Sequence, residues 1–355
     1  MCFRSSVNTS RLAVLLVALV AGLPAVAQER PLPAGTPLPD YAKVYRLGDL
    51  RSPAQRLQPV ENGLPSILLT GYWPPTNEML RQFSTNPQQN PGGWVGDNWE
   101  RRGFNVYSFF PEFPHGLGKG EGDFEVDYQD TSNDFWPLLE QLKPLAIISF
   151  GRADDDLDWE LEGGNRTYAP EYWYADYEYP YQPTPELPIT REPHGRERLS
   201  SLPLQAIVDA VSKSGANVYP YYTTMDDSRF LCDFMGYHVN WWHDQHADPN
   251  DPARNVTAGF IHLGSLIALN DAILASKVTV RTVARYLHQQ VLTPGDLNCD
   301  GLVNNFDIDP FTLALSDPGG YQTMYPDCNL MNGDCNGDGV VNNFDIDPFV
   351  KLLVP

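Results

Sequence analysis

Cysteine is scarce in this chain. Five occur in 355 residues, which excludes a disulfide scaffold as the basis of the fold. Positive charge is also short. Lys and Arg total 24 against 45 Asp and Glu, a net charge of −21, and that sets nucleic acid aside as a partner. Beyond the first residues there is no apolar run long enough to cross a bilayer.

The one long apolar run is "LAVLLVALVAGLPAVA", preceded by Arg4 and Arg11 and followed by the polar "QER". It is short for a membrane span and ends in Ala25-Val26-Ala27. This is the pattern of a secretory signal peptide over residues 1–27, cut after Ala27. The product is expected to be soluble and either secreted or held at the cell surface. Cys2 leaves with the leader. Cys232, Cys299, Cys328 and Cys335 remain. The last three cluster near the C-terminus, where at most one local pair can form, and the spacing does not say which. Cys232 stands apart in "SRFLCDFMGYH", although most cysteines of exported proteins are paired.

The tail repeats itself. "GDLNCDGLVNNFDIDPF" starts at Gly295 and "GDCNGDGVVNNFDIDPF" at Gly333. Asp296, Asn298, Asp300 and Asp307 recur as Asp334, Asn336, Asp338 and Asp345. Ca²⁺ takes roughly six to eight hard oxygens, and a tight loop supplies them from alternate positions and from position twelve. Gly301 and Gly339 make the sharp turn, and the carbonyls of Leu302 and Val340 serve position seven. Asp at position twelve is a shorter arm than the usual Glu. The matched register of two copies argues against a merely acidic tail. The pattern resembles the type I dockerin family, over residues 295–355. That resemblance implies two Ca²⁺ sites, a small all-α duplicated EF-hand-like domain, and attachment to a cohesin-like partner or cell-surface scaffold. Pro310 and Pro348 depart from it, standing where a longer helix would run.

Between leader and tail, apolar runs alternate with helical patterns. "SILLTG", "FNVYSFF", "PLAIISFG", "ANVYPYY" and "AGFIHLG" read as strands. "NDFWPLLEQLK", "PLQAIVDAVSKSG", "SRFLCDFMGYHVNWWHD" and "TVRTVARYLHQQVL" read as helices. The alternation predicts a three-layer α/β/α domain with a mostly parallel sheet. The divisions expected are a leader at 1–27, an irregular lead-in at 28–62, the α/β domain at 63–293 and the calcium module at 294–355.

In such folds chemistry gathers at the carboxyl ends of strands and the amino ends of the following helices. Glu160, Cys232 and His262 are placed at that edge. A thiol, an imidazole and a carboxylate together suit nucleophilic attack on an amide. A helix amino end favours thiolate, imidazole shuttles the proton, and the carboxylate fixes its tautomer. Taken singly, each has a structural explanation: a buried small side chain, a satisfied core histidine, a solvated acid.

Five segments in order resemble the pyroglutamyl-peptidase I family of cysteine peptidases. They are "ILLTGYWPP", "IISFGRA" followed by Glu160 and Asn165, "SSLPLQAIVDAVSKSGANV", "FLCDFMGYH" with Tyr237, and "AGFIHLG". Together they cover most of residues 64–291. The resemblance implies a catalytic triad of Cys232, His262 and Glu160, with Tyr72 and Asn165 as substrate-binding residues and no catalytic cofactor. Glu162 rivals Glu160, because the gap before the acid differs here. Asp226 and Asp227 in "MDDSR" depart from the small residues usual before the cysteine and oppose a thiolate. Leu161 stands where an arginine is common. Tyr72 and Pro75 replace pocket phenylalanines, which points away from pyroglutamate itself.

Two other features are set beside these. "EYWYADYEYPYQP" reads as a loop packing its rings on the domain, with an aromatic binding platform as the other reading. His238, His243 and His246 read as a helix end rather than a zinc site, since His238 is out of phase with His243. The expectation is an exported cysteine-type amide or peptide hydrolase tethered by a calcium module. One rival is a binding protein that kept the fold and lost catalysis. The other is a lock formed by Cys232 with a tail cysteine.

Overall fold

The computed structural model describes residues 31–354 apart from Arg46, Asp226 and Asp227. The leader and the two aspartates of "MDDSR" lie outside the described residues. Six strands form the central sheet: β1 (Ser66–Thr70), β2 (Asn105–Phe109), β3 (Ala146–Arg152), β4 (Asp158–Leu161), β5 (Tyr219–Tyr222) and β6 (Thr257–Leu263), in the order β2-β1-β3-β6-β4-β5. Every ladder is parallel except β6 with β4. The fold is therefore α/β with a mostly parallel sheet, as expected from the alternation of strand and helix patterns.

Strands β1, β2, β3 and β6 are buried on both faces, so their apolar side chains divide by parity, whereas the edge strand β5 is largely exposed. Leu68, Ile147, Ala258 and Phe260 join the core on one face. It is covered by α1 (Tyr128–Leu142) and α3 (Leu231–His246). Ile67, Leu69, Ile148, Phe150, Ile261 and Leu263 join the other. That face is covered by α2 (Leu204–Ser212) and α4 (Leu269–Gln290). Helix α1 starts earlier than its apolar pattern suggests, because Asp127 caps it by accepting from the Gln129 and Asp130 amides.

Strand β4 is absent from the sequence reading. It runs antiparallel to β6, and β5 pairs parallel with β4, so both run opposite to the other four strands. The connection through residues 223–230 then carries the chain to the start of α3. The tail forms α5 (Ile308–Ser316), α6 (Pro318–Met324) and α7 (Ile346–Leu353) around its own small core. The disulfide described joins Cys299 and Cys328 there, leaving Cys232 and Cys335 outside it. The proposed lock between Cys232 and the tail is thus not the pairing observed.

Candidate active site

His262 sits near the end of β6, beside Gly151 of β3 in the parallel register. Cys232 is the second residue of α3. A Cβ added at Gly151 would fall 2.9 Å from the Cys232 sulfur and 2.6 Å from the Phe260 ring. The thiol therefore lies over the glycine adjacent to His262. Phe260, two residues before the histidine on the same face, stands edge-on to its ring at 5.1 Å between centroids. The start of α3 and the end of β6 thus both neighbour Gly151.

Of the two glutamates, Glu162 is the one placed at His262 Nδ1. His262 Nδ1 lies 2.7 Å from Glu162 Oε1, and both side chains are buried. Glu160 is instead the strand residue directly opposite His262 in the β4–β6 ladder, and its other register neighbour is Tyr221 of the edge strand. Burial first, and then the Glu160 charge, push the Tyr221 phenol up. Glu162 lies just past the end of β4, its amide donating to the Phe260 carbonyl, where the chain turns beneath α3. A proton on Nδ1, facing the Glu162 carboxylate, leaves Nε2 as the basic nitrogen of the ring.

Asn165 lies outside the cavity that holds Cys232. It is fully buried and ties the site together. Its Nδ2 donates to Glu162 Oε2 and lies 3.3 Å from Asp233 Oδ1. Its Oδ1 accepts from Asn240 Nδ2 at 3.1 Å. Asp233, buried beside the cysteine, also accepts from the Arg166 and Arg229 amides. One carboxamide thus joins the acid that holds His262 to the acid that anchors the first turn of α3. Gly236 permits this, since a Cβ there would fall 2.3 Å from the Asn165 side chain. Its described hydrogen bonds are thus to buried side chains of the site.

Tyr72 is likewise not among the residues lining the Cys232 cavity. It is buried, its amide donates to Thr76 Oγ1 at 2.7 Å, and its hydroxyl lies 3.5 Å from Thr131. Burial pushes its phenol well up. The next residue, Trp73, takes the place at the cavity. That cavity, about 140 Å³, is lined by Leu32, Trp73, Arg152, Ala153, Asp154, Asp155, Phe230 and Cys232. A larger one of about 320 Å³ lies around Arg56, Asn86 and Asp123. It has no histidine, and its arginines pair with Asp49 and Asp123.

Sequence reasoning missed Trp73, Phe230, Asp233 and Asn240. The signal for Asp233 and Asn240 was their spacing from Gly236, which places all three on the side of α3 that faces β4's exit. The three histidines of the "HVNWWHDQH" run do not converge: His238 Nδ1 meets the Phe234 carbonyl, His243 meets Asn255, and His246 meets Asp251. In the tyrosine-rich loop, Trp173 is buried and Tyr177 is bonded to the lead-in, whereas Tyr172, Tyr179 and Tyr181 face solvent.

The two tail loops are built alike. Asp296 accepts from the Asp300 and Gly301 amides, and Asp334 from those of Gly337, Asp338 and Gly339. Asp307 accepts from Leu297, Asn298 and Asn304, and Asp345 from Asn336 and Asn342. Asn298 and Asn336 each accept from the residue two further on. No three His, Cys, Asp or Glu side chains are gathered as a ready-made metal cluster among the described residues. The oxygens of these loops come from aspartate, asparagine and carbonyl in turn. Asp296 is pushed up to about 7, first by burial and then by the Asp307 charge.

The layered sheet with thiol, imidazole and carboxylate at one rim defines an α/β protein whose candidate site has the residue types of a cysteine hydrolase. No protein-family model and no curated protein sequence matches the chain. Among solved structures it is similar to the pyrrolidone carboxyl peptidase of Thermococcus litoralis, at 18% identity and a TM-score of 0.45, over 64% of this chain and 97% of that one. Pyroglutamyl peptidase I of Bacillus amyloliquefaciens follows at 16% and 0.40, over 62% and 97%. An E192V mutant pyrrolidone carboxyl peptidase of Pyrococcus furiosus gives 16% and 0.45, over 62% and 99%.

Proposed function

We propose that the chain is an exported cysteine-dependent amide or peptide hydrolase, with Cys232 as nucleophile, His262 as general base and acid, and Glu162 holding the imidazole. The observation that carries this reading is the arrangement at one rim: the Cys232 sulfur over Gly151, His262 beside that glycine, and Glu162 on Nδ1 at 2.7 Å. The thiol proton passes to His262 Nε2 as sulfur bonds to the substrate carbonyl carbon. The tetrahedral oxygen is met by amides at the start of α3. The carbon–nitrogen bond then breaks and the leaving amine takes the proton from His262. Water, deprotonated by the same nitrogen, releases the acid and restores the thiol.

In the tail, two Ca²⁺ ions would be held by Asp296, Asn298, Asp300, Asp307 and the Leu302 carbonyl, and by Asp334, Asn336, Asp338, Asp345 and the Val340 carbonyl. The ions would fix the loops, and the module would tether the enzyme to a cohesin-like or cell-surface partner. Phe306 and Phe344, repeated at the same loop position, are exposed and available for such a contact.

A screen of amino-terminally blocked aminoacyl amides, wild type against Cys232→Ser, tests the hydrolase. Release of amine by the wild type alone is the expected result. No turnover by either sinks it and favours the binding-protein reading, which Asp154 and Asp155 in the cavity support by opposing a thiolate.

A further inference from the structure

Among the residues lining the Cys232 cavity, Arg152 is the cation. It closes β3 and follows Gly151, over which the Cys232 sulfur lies. In register it sits beside Leu263, the residue after His262. Its side chain is only 13% exposed. Three other arginines are buried as deeply, and carboxylates hold each of them. Arg56 donates to both oxygens of Asp123. Arg81 donates to Glu78 at 2.9 Å and to Glu112 at 2.7 Å. Arg198 donates to Glu192 at 2.9 Å and to Asp244.

Arg152 is not held in that way. Its ion pair among the described residues is with Asp155 at 3.7 Å, beyond hydrogen-bond range, and Asp155 is 80% exposed. The Asp155 carboxylate accepts from the Ser265 hydroxyl instead. Burial pushes the Arg152 guanidinium down, and Asp155 restores only part of the loss. In Arg81 and Arg198 burial acts the same way, but their hydrogen-bonded partners outweigh it. A buried guanidinium short of hydrogen bonds is costly. Its planar fork matches a carboxylate, two N–H donors to two oxygens.

The rest of the cavity suits the body of an acyl group. Trp73 and Phe230 tilt toward each other, 6.3 Å between centroids, and Leu32 joins them. At about 140 Å³ the space falls below the roughly 300 Å³ of an ordinary ligand pocket, so it takes a short group and not a length of chain. Asp154 and Asp155 are exposed, where water and salt screen them, while the guanidinium is enclosed.

We propose that Arg152 is the specificity-determining residue of this cavity, binding the carboxylate of a short anionic acyl group whose amide carbonyl meets Cys232. The proposal rests on the reading of Cys232 as nucleophile and names the class of substrate. That class is amides of acidic acyl groups, such as an aspartyl or glutamyl residue at an amino end.

Two alkylating reagents of nearly equal size test this without requiring turnover. Iodoacetate carries the carboxylate and iodoacetamide its neutral counterpart. In both, the Cys232 sulfur bonds to carbon as iodide leaves. Labelling of Cys232 is followed by mass spectrometry in the full chain, and 2-mercaptoethanol gives the ratio of rates intrinsic to a free thiol. Relative to that ratio, wild type is expected to favour iodoacetate about tenfold, as for one charge-assisted pair. Arg152→Gln should lose the preference, and Arg152→Lys, which keeps the charge without the fork, should retain part of it. Glutarate should slow iodoacetamide labelling of the wild type and glutaramide should not, a comparison that needs no variant to fold. A wild-type ratio at or below that of 2-mercaptoethanol, a ratio indifferent to Arg152→Gln, or equal protection by the two compounds would overturn the assignment. Anion preference with no amide hydrolysed keeps the carboxylate site and sinks the hydrolase. Hydrolysis of neutral amides with no anion preference does the reverse.

Discussion

At the scale of single residues, the choice between two glutamates two positions apart decides the chemistry. Glu162 is buried on His262 Nδ1, and Glu160 lies half-exposed beside the edge strand. Glu162→Gln keeps the shape but removes the charge that stabilises imidazolium. It is expected to lower amide hydrolysis on the order of 10²–10⁴-fold. Glu160→Gln should leave the rate within about threefold, as for most substitutions near the surface. Steady-state rates on the best amide of the screen compare the two, and equal losses would return the role to Glu160. Gly236 gives a second prediction at this scale. In Gly236→Ala the new methyl must displace the Asn165 carboxamide, which separates Glu162 from Asp233. Activity is expected to fall further than the melting temperature alone explains, and Asn165→Asp, which keeps the volume but loses the donor, should reproduce the loss.

At the scale of elements, helix α3 carries both the thiol and a buried base. His238 is pushed down to about 4 by burial, and its Nδ1 meets the Phe234 carbonyl at 2.7 Å. The unfolded chain takes up that proton near pH 6.5, while the folded chain resists until about 4. Between those values the unfolded state binds more protons, so this residue costs stability as the pH falls. Asp134 and Asp176, each pushed up to about 7 mainly by burial, act oppositely and cost stability as the pH rises toward 7. The difference between wild type and His238→Gln isolates the histidine. The urea midpoint of the variant is expected to fall less between pH 6.5 and 4.5, and parallel curves would refute the assignment. The start of α3 and the end of β6 were legible because each is an apolar run with one reactive side chain. Strand β4 was not. Its Trp159 and Leu161 do alternate inward, but four aspartates in "DDDLDW" make the stretch look like a solvated loop. With β4 unread, neither the reversal of β5 nor the reach of Glu162 could be derived. Asn165 was visible as a residue but not as a buried clamp, because its partners Asp233 and Asn240 come from a helix some seventy residues later.

At the scale of the whole molecule, the repeated tail is not a loose appendage. Asn98 Nδ2 donates to the Asp300 carbonyl at 2.7 Å, and Asp327 bonds both Arg102 and Arg285. Gly103 and Gly301 meet backbone to backbone, since a Cβ on Gly301 would fall 2.7 Å from the Gly103 Cα. The first repeated loop therefore rests on the turn around residues 98–103 that leads into β2. If calcium orders that loop, the order should pass to the sheet. A ligand of the folded state at about a hundred times its Kd adds about 2.7 kcal/mol. At roughly 2–4 °C per kcal/mol for a domain of this size, the melting shift is on the order of 5–10 °C. All eight tryptophans lie between residues 73 and 242, outside the tail. Their emission thus reports the α/β domain alone, while calcium acts elsewhere. Calcium is expected to raise the tryptophan-detected midpoint in the full chain. The double variant Asn98→Ala, Arg285→Ala should lose most of that rise while still binding calcium by calorimetry. A midpoint indifferent to calcium and chelator, in a protein shown to bind the ion, would mean that the two parts melt independently and that the contacts at Asp300 and Asp327 carry no coupling.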